Sequence, residues 1–174
     1  VEHPVTECVT GLDLVRLQLE IAADGRLPCR QSEVTQNGHA IEARVYAEDG
    51  ARNFLPQGGQ ALKVRWASGD GLRVDAGIES GDAVPVHYDP ILAKVIAAGE
   101  SRDQALARLT HALDASLVHG VITNLPFLRA LARARAVQRA EVDTEWIARE
   151  FLAGLAAPAT APAPELALGA AALG

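Results

Sequence analysis

From Gly38 onward the chain reads Gly38-His39-Ala40-Ile41-Glu42-Ala43-Arg44-Val45-Tyr46-Ala47-Glu48-Asp49, and Ala40 to Tyr46 alternates. Ala40, Glu42, Arg44 and Tyr46 fall on one side; Ile41, Ala43 and Val45 fall on the other. Successive side chains of a strand leave opposite faces, so this period of two predicts a half-buried strand. Such a strand carries Glu42, Arg44 and Tyr46 as a short row of functional groups above an apolar underside. On spacing alone the row also reads as a solvated face with an ion pair.

The chain has 174 residues, enough for one ordinary domain with its own core. Apolar residues make up 49% and charged residues 22%, the proportions of a globular protein. No apolar run is long enough to span a bilayer, and the N-terminus lacks a basic-then-apolar leader, so the expectation is a cytoplasmic chain with no membrane partner. Net charge is −6 and the arginines are scattered, which argues against a nucleic-acid surface. The sequence starts at Val1, inside what reads as a motif, and is expected to be a piece of something longer. Cys8 and Cys29 have no CxxC and no histidine at ligand spacing, so free thiols and no metal site are expected.

Along the chain, Val1 to Cys8 reads as polar and turn-like, with Pro4 set against an early helix. Thr10 and Asp13 open a helix that Gly25 ends, apolar on two sides and so expected to be clasped between other elements, several of them missing from this sequence. Pro28 and Asn37-Gly38 mark a connector and a turn. Gly50 to Gly59 reads as a loop pinned by Phe54 and Leu55. Leu62 to Trp66 and Leu72 to Gly77, joined by Ser68-Gly69-Asp70-Gly71, predict an antiparallel hairpin. Ala83 to Val86 and Ile91 to Ala97 carry further strand character.

Ser101 and Gln104 form a capping box opening a helix along Leu106, Leu109, Leu113 and Leu117, ended by His119-Gly120. Asn124 caps the next helix, and Asp143 or Thr144 a last one through Trp146, Ile147, Phe151 and Leu152. Beyond Leu155 the Ala/Pro run predicts a linker. The fold class expected is α+β, an antiparallel sheet with packed helices.

Four motifs stand in register with a known family. Val1-Glu2-His3-Pro4-Val5-Thr6-Glu7 with Val9-Thr10-Gly11-Leu12-Asp13 resembles the end of the ATP-grasp domain of biotin carboxylases. Gly38 to Asp49 with Asn53-Phe54-Leu55-Pro56 resembles the opening of their C-terminal domain. His87-Tyr88-Asp89-Pro90 with Leu92-Ala93-Lys94, and Gly120 with Thr123-Asn124, continue it in order. The wording is similar to the biotin-bearing subunits of acyl-CoA carboxylases, of the methylcrotonyl-/geranyl-CoA or acetyl-/propionyl-CoA type. The resemblance implies an ATP-grasp tail over 1–25, a biotin carboxylase C-terminal domain over 36–153, and a linker with the start of another module over 154–174.

The activity so implied is a ligase: ATP activates bicarbonate as carboxyphosphate, and the ureido nitrogen of carrier-bound biotin takes up the carboxyl group. Glu2 matches the family's general base toward bicarbonate, and the Val1 backbone N–H a contact to a bicarbonate oxygen. Arg44 matches the arginine that contacts bicarbonate and the ureido oxygen, where a permanently charged guanidinium stabilises developing negative charge. Asp89 matches a residue near the active-site face, and Thr144 one close to the adenine. Arg73 matches a strand at the homodimer contact.

The implied cofactors are biotin on a carrier domain, ATP, and magnesium or manganese, with the nucleotide and metal ligands upstream. The implied partners are the carrier domain and a carboxyltransferase beta subunit. The fragment alone is expected to be inactive. Two other readings compete: a non-catalytic assembly or dimerisation module, which has no need of both Glu2 and Arg44, and another ATP-grasp ligase, which would lack Tyr88-Asp89-Pro90.

Overall fold

A computed structural model describes residues 2–152. In chain order the elements are α1 (Pro4–Thr10), α2 (Leu14–Asp24), β1 (His39–Tyr46), β2 (Glu48–Asp49), β3 (Leu55–Pro56), β4 (Gly59–Gln60), β5 (Lys63–Arg65) and β6 (Leu72–Ala76). They continue with β7 (Ala83–Val84), β8 (Ile91–Gly99), α3 (Arg102–Ala115), β9 (Leu117–His119), α4 (Leu125–Arg133) and α5 (Arg135–Gln138). The chain divides into two compact units, the first ending at Ala140. The second, from Glu141, holds one π-helical turn, Ile147–Phe151, in which the Trp146 and Phe151 rings lie 5.4 Å apart. The expected linker lies outside the described residues.

The main sheet has the order β1-β8-β6, both pairings antiparallel. β8 is central because it is apolar on both faces: Leu92, Ala93, Val95, Ile96 and Ala97 are all buried. Val45 and Ala43 of β1 join Ala93, Val95 and Ala97 against Leu106, Leu109, Ala112 and Leu113 of α3. Alanines at these positions let the helix lie close to the sheet. A second cluster, Ala47, Ala61, Val84, Leu92 and Val121, fills the space under the short pairs β4-β7 and β5-β9. The alternation of β1 is therefore realised as read, with Val45 fully buried and Arg44 exposed.

Three expectations are corrected. Pro4 starts a helix, because the first turn has no intrahelical use for the N–H that proline lacks. Leu62 to Trp66 and Leu72 to Gly77 make no hairpin: β5 pairs with β9, and β6 with β8. The Ser68 to Gly71 turn reverses the chain, but the two-faced β8 and the free β9 are the stronger partners. α3 stops at Ala115, where Ser116 turns back to bond the Ala112 carbonyl through both its N–H and its hydroxyl. Leu117 then lies on β9, and Gly120 follows at φ +99, where an added Cβ would stand 2.2 Å from the Gln60 carbonyl. α2 is left uncovered by the described residues, and the elements expected to clasp it include ones missing from this sequence. None of its residues is buried, and Leu19 is 68% exposed.

The capping box of α3 holds with a shift. Ser101 Oγ accepts from Gln104 N–H, while Gln104 Oε1 accepts from the N–H of Glu100 rather than of Ser101. Asp13, not Thr10, caps α2, accepting from Arg16 N–H at 2.9 Å.

Candidate functional site

Arg44 leaves the face of the sheet opposite α3. Antiparallel register sets it beside Lys94 of β8, which in turn faces Asp75 of β6. Its Nε donates to Glu42 Oε1 at 2.9 Å, and 46% of the arginine side chain stays exposed. Glu42 first, and Tyr46 next, push the Arg44 pKa further up, so its charge is fixed at any working pH. Glu42, two residues back on the same face, sets the plane of the guanidinium. A half-exposed planar cation on a rigid strand can receive an anion or an oxygen that gains charge.

The far end of β1 is irregular. A register shift falls between Val45 and Tyr46, and Ala47 N–H then bonds the Pro90 carbonyl at 2.8 Å. That bond brings Asp89 to the same end of the sheet. Asp89 is exposed, and its Oδ1 accepts from Ile91 N–H at 2.9 Å, closing the turn into β8. Burial, and then the Asp89 charge, push the pKa of half-buried Glu48 upward. The edge-to-face pair of Phe54 and Phe127, with centroids 4.9 Å apart, ties the following loop to α4. Leu55, expected to help pin that loop, is 47% exposed.

Asn124 was missed as a site residue. The sequence marks it as a helix cap, yet its side chain makes no cap bond in α4. Its Oδ1 accepts from Tyr46 N–H at 2.9 Å and its Nδ2 donates to the Arg44 carbonyl at 3.2 Å. The available signal was the Gly120 with Thr123-Asn124 motif, which already singled the residue out.

Glu2 is exposed in the segment leading into α1, a helix that packs on β1; the ion-pair partner found for Arg44 is Glu42. Val1 lies outside the described residues. Thr144 is exposed in the second unit, beside Asp143, which accepts from Glu145 N–H. Arg73 forms a bidentate pair with Asp75 and donates to Glu7 Oε2 at 2.6 Å. Cys8 and Cys29 are free thiols, Cys8 at the edge of a groove of about 390 Å³ that Glu7, Leu12 and Arg73 also line. Among the described residues no group of three or more His, Cys, Asp or Glu is placed to hold a metal ion.

Residues 42–149 match the family described as the biotin carboxylase C-terminal domain. The chain is 45% identical over 150 residues to the mitochondrial methylcrotonoyl-CoA carboxylase subunit alpha of Oryza sativa, covering 86% of this chain and 20% of that protein. It is 41% identical over 151 residues to the biotin carboxylase of Pseudomonas aeruginosa, covering 87% of this chain and 33% of that one. Among solved structures it resembles the biotin carboxylase domain dimer of the Hydrogenobacter thermophilus 2-oxoglutarate carboxylase in complex with MgADP, ADP and bicarbonate. The TM-score there is 0.83 at 33% identity, over 86% of this chain and 33% of that one. The chain thus spans between 20% and 33% of the length of these relatives.

Proposed function

The chain belongs to the biotin carboxylase C-terminal domain family, and from that membership we propose that it is the biotin-facing part of an ATP-dependent biotin carboxylase. In this reading the whole protein uses ATP and bicarbonate to carboxylate biotin on a carrier domain, as the first half-reaction of an acyl-CoA carboxylase. One observation carries it: Arg44 is held half-exposed between the buried Ala43 and Val45, with its charge fixed and its plane set by Glu42. When the ureido nitrogen of biotin gives up its proton, negative charge collects on the ureido oxygen. A guanidinium already in place stabilises that charge without reorganising.

Glu2 is the base we propose for bicarbonate, with the Val1 N–H as a donor to it, Asp89 as a substrate contact and Thr144 beside the adenine. Residues 1–25 are then the end of an ATP-grasp domain, 36–153 the C-terminal domain, and 154–174 a linker into a further module. Magnesium or manganese ligands lie upstream in this reading. The partners proposed are the carrier domain, a carboxyltransferase beta subunit and a second copy near Arg73. The solved Hydrogenobacter domain is described as a dimer, which supports the last. The compartment proposed is the cytoplasm; among the described residues no helix is long and apolar enough to cross a membrane.

The test uses the full-length protein and follows bicarbonate-dependent ATP hydrolysis with and without free biotin. R44A and E2Q, with circular dichroism unchanged, are each expected to lose biotin-stimulated turnover by roughly 100- to 1,000-fold, the usual cost of a charge-stabilising group for the first and of a general base for the second. Unchanged turnover in R44A overturns the assignment. Absence of biotin-stimulated turnover in the wild type would favour the assembly module.

A further inference from the structure

Among the described residues β1 is an edge strand: β8 pairs with one side of it and no strand with the other. At Arg44 and Tyr46 that outer edge is taken up by a single residue. Asn124 Oδ1 accepts the Tyr46 N–H at 2.9 Å, Asn124 Nδ2 donates to the Arg44 carbonyl at 3.2 Å, and the Asn124 N–H donates to the Tyr46 carbonyl at 3.1 Å. A carboxamide carries the same donor–acceptor pair as a peptide group, so Asn124 replaces a missing neighbouring strand. The amide orientation is forced, since a backbone N–H needs an acceptor and a carbonyl needs a donor.

Three further facts make this a support rather than a helix end. Asn124 is only 6% exposed, so bonds lost here are not remade by water. The first turn of α4 takes its side-chain bond from Thr123, whose Oγ1 accepts the Leu125 N–H, which leaves the Asn124 amide to β1. And Asn124 grips the strand where its register slips, between Val45 and Tyr46. Such irregularities re-aim the side chains beside them. The next residue, Leu125, is 3% exposed and packs in the cluster that contains Val45, so the support is anchored in the core.

We infer that Asn124 is a positioning residue for Arg44, setting the height and angle at which the guanidinium leaves the sheet. This rests on the role proposed for Arg44 and deepens it. The residue touches no substrate. It acts through the backbone of the residue that does.

The experiment is a double-mutant cycle in the full-length protein, reading kcat/KM for free biotin in N124A, R44A and N124A/R44A, with melting curves for each. Misplacing a reacting group by about 1 Å costs on the order of 100-fold. N124A is therefore expected to lose roughly 10- to 100-fold in the wild-type background and less than about twofold once Arg44 is gone. If N124A melts below the assay temperature, N124D carries the same cycle; it keeps the acceptor for Tyr46 and loses the donor to the Arg44 carbonyl. An equal loss in both backgrounds, or no loss in either, overturns the inference while the role of Arg44 stands. Full activity in R44A overturns that role and the inference with it.

Discussion

Glu48 sits one residue beyond the bond that joins Ala47 to Pro90, half-buried beside the exposed Asp89. Burial is the larger cause of its raised pKa and the Asp89 charge the smaller. The folded chain therefore holds a proton that the unfolded chain releases at the usual glutamate value of about 4.3. Stability falls as pH rises from there through the folded value, and the penalty persists at neutral pH. E48Q removes the charge, so it is expected to melt higher than the wild type at pH 7, with the gain shrinking toward zero near pH 4. Thermal melts across that range check it; a gain independent of pH would assign the effect to packing instead. The cost fits the placement of Arg44. Glu48 and Asp89 both lie toward the end of the strand that carries it, and the half-exposed Glu42–Arg44 pair adds no more than about 1 kcal/mol in return. This end of the sheet is arranged around charge positions that stability alone would not choose.

Glu7 is 8% exposed on α1, with Oε1 accepting from Leu14 N–H and Oε2 from Arg73 of β6. One buried carboxylate thus joins two helices and a strand. R73A strands Oε2, and with Arg73 itself 36% exposed the expected loss is about 1–3 kcal/mol rather than the full cost of breaking a buried pair. The same substitution changes the acid limb. Arg73 is the first cause of the depressed Asp75 pKa, whose stabilisation is complete above about 3.9 and is lost as pH falls through the folded value. Acid melts of R73A should be correspondingly flatter. None of this network was legible, because an isolated Glu7 and an Arg73 far away in sequence carry no mutual signal. What was legible is local: the alternation of β1, the Ser101 and Gln104 cap, and Gly25 as a stop. Partner choice was not, since β5 and β6 look like a hairpin until the apolar, two-faced β8 is seen to take β6. At the site, Arg44 could be picked out by its strand and motif, whereas Asn124 resembled a cap, its actual duty being to a strand 80 residues away.

On the scale of the whole chain, burial is concentrated on β8 and declines away from it. Val95, Ile96 and Ala97 have no exposed surface, while α2 buries no residue and leaves Val15, Leu19 and Ile21 in the open. An 11-residue helix is marginal in water without tertiary packing. The Asp13 cap adds about 1 kcal/mol and the solvent-screened Arg16–Glu20 pair adds little more, which is too little to hold it by itself. Hydrogen exchange on the 174-residue chain is therefore expected to grade steeply. Amides of α2 should exchange close to the rate of an unstructured peptide, and those of β8 and the facing side of α3 only through global unfolding. Protection of α2 equal to that of β8 would mean that its apolar side is covered in solution. Dilution then separates the sources: protection that fades on dilution comes from a second copy, and protection that persists comes from the chain's own folding. The steep outcome fits the functional reading, because it leaves the strand carrying Arg44 on the rigid side of the gradient, where a guanidinium can be held in place before its substrate arrives.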